Sequence, residues 1–84
     1  MRLDKFLKIS RLIKRRTLAK EVASQGRIHL NGNPAKASSE VGVGDELSIR
    51  FGQKQLTIEV TSLRENVKKD EANSLYKVIK EQEV

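Results

Sequence analysis

The sequence predicts a small α+β domain, with two N-terminal helices packed on a small, mostly antiparallel sheet and a further helix at the C-terminus. Apolar residues follow a helical period up to about residue 25, alternate over residues 27–60, and return to helical spacing over 70–80. This order of patterns is typical of α+β proteins. The 84 residues make one domain's length. We expect residues 1–64 to form the main unit and residues 65–84 a helical extension packed on it.

Two apolar stripes predict the N-terminal helices. Leu3, Phe6 and Leu7 follow the i, i+3, i+4 rule of an amphipathic helix. A second helix is expected to begin near Thr17, a good N-cap residue, and to stop at Gly26. The apolar face of the second helix is predicted to consist of Leu18, Ala19, Val22 and Ala23.

Alternating residues and turn signals predict the sheet. Ile28 and Leu30 alternate with polar neighbours, and Asn31-Gly32 is a strong tight-turn signal. Pro34 cannot donate a ladder hydrogen bond and is expected at an edge. Asp45 is expected to cap the VGVGD turn. Two further strands are predicted to place inward Leu47, Ile49 and Phe51, and Leu56, Ile58 and Val60.

The last segment has the spacing of a helix. Ala72, Leu75, Tyr76 and Ile79 make a helical stripe, with acidic residues in the first turn. The pattern therefore predicts a C-terminal helix. Whether that helix packs on the sheet or docks on a partner stays open at this point.

The charge of the chain is segregated. The net charge is +6. Residues 1–36 hold ten Lys or Arg and two acids, and residues 37–84 hold seven and nine, so the two parts carry +8 and −2. Such polarity is the expected footprint of a nucleic-acid binder, and a basic surface kept for solubility is the alternative.

The stretch RLIKRRTLAK, residues 11–20, concentrates this charge before the second helix. Lys14, Arg15 and Arg16 would lie at a helix N-terminus, where the macrodipole disfavours cations. Helix stability therefore does not account for them, whereas a phosphate bound there would relieve the repulsion. A solvated turn with idle charges is the alternative.

The few aromatic residues bear on how RNA would be recognised. Phe6, Phe51 and Tyr76 all fall on predicted apolar faces, so we expect them in the core. Exposed stacking platforms for single strands would then be lacking. The expected partner is structured RNA, recognised through its backbone and shape.

Catalytic chemistry has little support in the sequence. His29 is the only histidine and fits a surface strand position, and cysteine is absent. Asp4 is expected to pair with Lys8 along the first helix, and no metal-ligand cluster is evident. We therefore expect no enzyme activity, no cofactor and no metal. No apolar run approaches the roughly 20 residues of a membrane span, and the N-terminus is charged throughout, so a cytoplasmic protein is expected.

Several motifs resemble one RNA-binding family. The opening R-L-D-K-x-L, the core R-x-x-A-x-x-x-x-x-x-G-x-[IV]-x-[IL]-N-G and the later G-D match the S4 RNA-binding domain over about residues 1–51. The whole chain resembles the small single-domain members that act in bacterial ribosome quality control, relatives of heat-shock protein 15. This resemblance implies the S4-like (alpha-L) fold, with its helical face presented to RNA.

The resemblance also implies a function and partners. Such proteins bind large ribosomal subunits that hold an obstructed peptidyl-tRNA, contacting ribosomal RNA and the tRNA. They support C-terminal alanine tailing of the stalled chain together with a NEMF-type partner, RqcH. A monomer without membrane association is expected. The alternatives left open are a general structured-RNA factor in subunit assembly or recycling, and a protein-docking module.

The family's basic positions can be carried over to this sequence. Arg2 and Arg16 are the strongest candidates for RNA contact. The full set of expected RNA-binding residues is Arg2, Lys5, Arg11, Lys14, Arg15, Arg16 and Lys20. The weaker candidates are Lys8, Arg27, Asn31, Asn33 and Lys36.

Overall fold

The structure is a computed structural model and describes residues 1–83. It contains two α-helices, a short 3-10 helix and a five-stranded sheet in the order β2-β1-β3-β4-β5. The predicted α+β class is confirmed, and all four strand pairings are antiparallel. The elements in chain order are α1 (Leu3–Ile9), α2 (Arg16–Ser24), β1 (Ile28–Leu30), β2 (Asn33–Pro34), β3 (Glu46–Phe51), β4 (Lys54–Val60), the 3-10 helix (Lys69–Leu75) and β5 (Tyr76–Glu83).

Both predicted N-terminal helices form, but the second begins differently. Helix α2 starts at Arg16, and Arg15 holds the N-cap position without a side-chain cap. The prediction of Thr17 as N-cap is therefore wrong. Leu18 is 47% exposed, because the buried stripe of α2 follows the i, i+3, i+4 positions Ala19, Val22 and Ala23.

The turns between strands follow the sequence signals. Asn31 and Gly32 both have positive φ, 51° and 85°, which is the backbone that favours Asn-Gly in a tight hairpin. Asp45 accepts a hydrogen bond from the Gly42 amide at 2.7 Å, so its predicted capping role is confirmed. Pro34 lies in β2, at the edge of the sheet.

One hydrophobic cluster lies between the helices and the sheet. Helix α1 contributes Leu3, Phe6 and Leu7, and the connector after it contributes Ile13. Because strand residues alternate between faces, the inward-facing residues in the middle of β1, β3 and β4 join this cluster. The buried strand residues are Ile28, Leu47, Ile49, Ile58 and Val60.

The predicted C-terminal helix is wrong over most of its length. Residues Lys69–Leu75 form a 3-10 helix, and Tyr76–Glu83 form β5, which pairs with β4. Residue 84, the end of the predicted extension, lies outside the described residues. Ala72 and Leu75 are three apart and both buried, so a single 3-10 segment satisfies that part of the stripe.

The strand wins after Leu75 for two physical reasons. Tyr76, Val78 and Ile79 are aromatic or β-branched residues that favour strands. The outer edge of β4 would otherwise leave a row of unpaired backbone groups. The β4–β5 register shifts by one residue near Ile79, which is a β-bulge.

The aromatic residues are not all in the core. Phe6 is fully buried and Tyr76 half-buried, but Phe51 is 37% exposed, contrary to the prediction. Phe51 is the last residue of β3, beside the hairpin to β4, where the core ends.

Candidate nucleic-acid interface

The two helices and their connector place most of the predicted cations on one side of the molecule. The apolar stripes of α1 and α2 face the core, so polar positions between them project outward. We call this surface the helical basic face. Its exposed basic residues are Arg2, Lys8, Arg11, Lys14, Arg15, Arg16 and Lys20.

The connector between the helices is held by its own backbone. The Ile13 amide donates to the Leu7 carbonyl at 3.1 Å, and the Ile13 side chain is buried. Arg11 has a φ of 61°, a left-handed conformation that is uncommon for residues with a Cβ. A fixed turn of this kind presents Lys14 and Arg15 next to the start of α2.

A buried carboxylate joins the two strongest candidates. Asp4 is 0% exposed, and its Oδ1 accepts from Arg2 Nε and Arg16 Nη2, each at 3.2 Å. Arg2 Nη2 also donates to Oδ2 at 3.3 Å, and the Lys5 amide donates to Oδ1 at 2.8 Å. We call Asp4, Arg2 and Arg16 the Asp4 clamp. The predicted Asp4–Lys8 pair is wrong, since the carboxylate turns toward these guanidinium groups instead.

The clamp leaves both arginines available to a ligand. The side chains of Arg2 and Arg16 are 48% and 42% exposed. Each guanidinium has five N–H donors in a planar fork, so donors remain after the bonds to Asp4 are made. The clamp therefore holds two half-exposed guanidinium groups, from the N-terminal ends of α1 and α2, at one place.

Backbone contacts fix Arg2 from the other side. Arg2 forms an isolated antiparallel bridge with Glu40, and the Leu3 amide donates to the Ser39 carbonyl at 2.8 Å. The Asp4 amide donates to the Ala37 carbonyl at 3.1 Å. The start of α1 is thus attached to the segment after β2, which limits the motion of the clamp.

The ionisation of Asp4 depends on its partners. Burial opposes the charged form, but hydrogen bonds from Arg2 and Arg16 and their charges outweigh it and lower the pKa of Asp4. A lowered pKa stabilises the fold above the unfolded-state pKa of about 3.9, and that contribution is lost as pH falls through the folded-state value.

Acid unfolding should therefore report the clamp. We expect the free energy of unfolding of the wild type to fall as pH drops below about 4, and to fall less steeply in Asp4→Asn. Urea denaturation followed by circular dichroism at pH 7 and between pH 4 and 2 measures this difference. Equal pH dependence in the two proteins would show that Asp4 is not stabilised as a carboxylate.

Lys5 forms an ion pair outside the Asp4 clamp. Its Nζ lies 2.6 Å from Glu65 Oε1, and the hydrogen bond and charge of Lys5 lower the pKa of Glu65. Lys5 is half-buried, and Glu65 comes from the segment after β4. Lys8 and Arg11 line a small hollow of about 190 Å³ with the same Glu65.

An open groove of about 680 Å³ extends the helical basic face toward the sheet. Arg2, Lys20 and Lys36 line it, together with Ala23, Pro34, Ala35 and Ala37. Basic groups beside small apolar side chains suit a phosphate with its attached sugar. The groove brings the weaker candidate Lys36 next to two of the stronger ones.

The other weaker candidates lie elsewhere. Asn31 is engaged in its own turn, donating to Asp45 Oδ1 at 3.2 Å and accepting from the Glu46 amide at 2.9 Å. Asn33 is exposed on β2. Arg27 precedes β1 and is half-buried on the sheet face opposite the helices.

Sequence reasoning missed the role of Asp4. The available signal was an isolated acid among the basic residues at the start of α1, two residues after Arg2. The i, i+4 rule for helices predicted an ion pair between Asp4 and Lys8. In the structure Asp4 is buried near the start of α2 and pairs with Arg2 and Arg16. Within residues 1–83, no group of three His, Cys, Asp or Glu could hold a metal ion, and no helix has the length and apolar character to cross a membrane.

The fold and this basic face define an RNA-binding class. The family model for the S4 domain matches residues 1–47, more than half of the chain. The chain therefore belongs to the S4 domain family, and the resemblance seen in the sequence is confirmed.

Within the family, the chain is similar to proteins with more specific names. The RQC P-site tRNA stabilizing factor of Bacillus subtilis is 64% identical over 84 residues, covering 100% of this chain and 98% of the relative. That of Halalkalibacterium halodurans is 66% identical, covering 100% and 96%. The trimeric structure of Vibrio cholerae heat shock protein 15 superposes with a TM-score of 0.86 at 34% identity, covering 94% of this chain and 81% of that one. The names of the two factors refer to stabilisation of a tRNA and do not mention an enzyme activity.

Proposed function

We propose that this protein is an RqcP-type factor of bacterial ribosome quality control. It binds the large ribosomal subunit that carries an obstructed peptidyl-tRNA, contacts ribosomal RNA and the tRNA, and supports C-terminal alanine tailing of the stalled chain. RqcH, a NEMF-type protein, is its proposed partner in that reaction. The place of action is the cytoplasm, and the protein acts as a binding factor without enzyme activity.

The observation that carries this proposal is the Asp4 clamp within the helical basic face. Two guanidinium forks are held half-exposed at 3.2 Å from one buried carboxylate, ready for bidentate contact with phosphates. The proposed RNA-binding residues are Arg2, Arg11, Lys14, Arg15, Arg16 and Lys20, with Lys36 through the shared groove. Lys5 joins them only if RNA displaces Glu65.

A monomer is the proposed state. The free edge of β5 carries Lys77 and Lys80 and a bulge at Ile79, devices that discourage pairing between sheet edges. Sedimentation of the purified chain tests this, and a trimer like that of the Vibrio relative would contradict it.

Binding to defined subunits tests the function. Purified large subunits that hold a trapped peptidyl-tRNA should bind the protein more tightly than empty subunits. Equal affinity for both would favour the alternative, a general structured-RNA factor in assembly or recycling. An affinity that does not change with salt concentration would favour a protein-docking module, because contacts to phosphates release counterions and therefore weaken as salt rises.

Loss of one clamp arginine should weaken RNA binding. Arg16→Ala is expected to cost about 1–3 kcal/mol of binding free energy, the range of a charge-assisted contact. Fluorescence anisotropy with labelled RNA from the large subunit, repeated over a salt series, measures the loss. The negative slope of log affinity against log salt should become shallower by about 0.7–0.9, the contribution of one phosphate contact.

Lys54→Ala is the matched control, since it removes one exposed charge from the β3–β4 hairpin. It should change affinity much less than Arg16→Ala. Equal losses in the two variants would mean that only net charge matters and would remove Arg16 from the proposed site.

A further inference from the structure

The face of the sheet opposite the helices carries its own group of polar residues. Both helices and Leu75 of the 3-10 helix bury their apolar residues in the cluster on one side of the sheet. Strand residues between the buried ones therefore point to the other side, which we call the outer sheet face. Its residues are half-buried or exposed, and none of them belongs to the hydrophobic cluster.

Strand register arranges this face in rows. The Arg50 amide donates to the Arg27 carbonyl at 3.0 Å, which places Arg27 opposite Arg50. Across the sheet, the first row is Arg27, Arg50, Gln55 and Gln82. The second row is His29, Ser48, Thr57 and Lys80. Each of these eight side chains can donate a hydrogen bond and none is a carboxylate, whereas Pro34, which pairs with His29 at the edge of the sheet, cannot donate.

Two arginines face each other in the first row without an acidic partner. Like charges directly opposite on neighbouring strands destabilise a sheet. Within residues 1–83, neither Arg27 nor Arg50 is among the ion pairs. Arg27 donates to Gln25 Oε1 at 3.3 Å and Arg50 to the Gly52 carbonyl at 3.4 Å, both long contacts to neutral groups. Sheet stability therefore does not explain this pair.

The same residues line a cleft of about 230 Å³. Arg27, His29, Ser48, Arg50 and Gln55 surround it. Gln55 Nε2 donates to Ser48 Oγ at 2.7 Å, and Ser48 Oγ lies 3.2 Å from Thr57 Oγ1, so the neutral groups form a connected network beside the guanidinium groups.

The acids of this face, Glu46 and Glu59, lie in a third row. That row ends in Lys77. The outer sheet face is thus basic at one end and acidic at the other. A ligand attracted by its charge would bind over the first two rows.

We propose that the first two rows of the outer sheet face form a second site for the phosphodiester backbone of RNA, so that the domain can hold two RNA segments on opposite sides. Guanidinium forks suit phosphates, and amide and hydroxyl groups make the usual contacts to phosphate and sugar. None of the eight side chains in the rows is an aliphatic or aromatic anchor of the kind that dominates protein interfaces, and the exposed Pro34 and Ile79 lie only at the outer ends of the second row, which favours RNA over an acidic protein. The identity of the ligand rests on the proposed RNA-binding function, but the site itself stands on the geometry.

Residue-resolved titration tests the second site. The full chain, labelled with nitrogen-15, is titrated with a short RNA hairpin while amide shifts are followed on both faces. Shifts near Arg16 and Lys20 report the helical basic face, and shifts near His29, Ser48 and Arg50 report the outer sheet face. We expect two separate saturating events.

The variant Arg27→Gln/Arg50→Gln should weaken the outer-face event at least about tenfold, as expected when charge-assisted contacts are lost. The negative slope of log affinity against log salt for this event should become shallower by about 1.4, or ~0.7 for each lost phosphate contact. Helical-face affinity should change less than about twofold, well below the loss of one such contact. The fold should survive, because the variant removes a repulsion. Lys54→Gln/Lys69→Gln, which removes the same charge elsewhere, should leave the outer-face event unchanged.

The outcomes separate this proposal from the proposed function. Helical-face shifts with a silent outer face would overturn the second site alone. Outer-face shifts with a silent helical face would support it and contradict the main RNA site. Silence on both faces would overturn both, and equal response of the outer face to poly-glutamate would overturn the second site in favour of an acidic protein.

Discussion

Asp4→Asn should weaken RNA binding at least about tenfold, a loss of about 1.4 kcal/mol or more, even though it makes the protein more positive. Net charge alone predicts the opposite sign, since removing an acid increases attraction to a polyanion. The expected loss arises because the carboxylate holds Arg2 and Arg16 together at 3.2 Å. An asparagine keeps the shape but cannot accept as many bonds and does not offset the repulsion between the two guanidinium groups.

The same change should also reduce stability. Asp4 is fully buried and accepts from Arg2, Arg16 and the Lys5 amide. An amide at this position leaves donors without a charged acceptor, and we expect about 1–3 kcal/mol to be lost from the free energy of unfolding. A domain of this size has modest stability, so binding must be measured at a temperature where circular dichroism shows the variant folded.

Glu65→Gln is the control for the sign of the effect. It also removes one carboxylate, but an exposed one, and it releases Lys5 from its 2.6 Å contact. Its RNA affinity should stay equal to the wild type or rise. Anisotropy titrations of the three proteins at one salt concentration decide the matter. If folded Asp4→Asn binds RNA as tightly as Glu65→Gln does, the clamp has no role in recognition.

The sequence predicted the parts of the fold that depend on local rules. The stripe of α1, the Asn31-Gly32 turn and the alternation in β3 and β4 are short-range patterns, and each formed as expected apart from the exposed Phe51 at the end of β3. The helix predicted after residue 68 was wrong for most of that segment. The spacing of its apolar residues fits a helix, but pairing with the free edge of β4 makes residues 76–83 a strand. The β-branched residues Val78 and Ile79 were a local signal for a strand, but the unpaired edge of β4 that accepts this strand is a property of the assembled sheet.

In the candidate site, too, local features were predictable from the sequence and tertiary contacts were not. Charge segregation predicted the helical basic face, because the order of residues along the chain puts the cations in and between α1 and α2. The Asp4 clamp joins residues 12 positions apart, and the opposed pair Arg27 and Arg50 is brought together by the β1–β3 register. Both depend on tertiary contacts between elements, which single-sequence periodicity does not contain.

Leu75→Ala should destabilise the whole domain by about 2–5 kcal/mol, the usual cost of deleting a buried leucine side chain. We propose that residues 65–84 form an extension that folds with residues 1–64 as one cooperative unit. Leu75 is 0% exposed within the main cluster, and its carbonyl accepts from the Thr61 and Ser62 amides at 2.9 and 3.3 Å. The 3-10 helix and the start of β5 are therefore attached to the end of β4.

Two probes can test this cooperativity. Tyr76 is the only tyrosine and tryptophan is absent, so its fluorescence reports the extension, while far-ultraviolet circular dichroism reports α1 and α2. Both signals should move to lower urea together in Leu75→Ala. Val78→Ala, at a side chain 51% exposed, should shift them by less than about 1 kcal/mol. A tyrosine transition that precedes the helical one would instead mean that the extension unfolds separately, because a shared core requires both signals to report the same equilibrium.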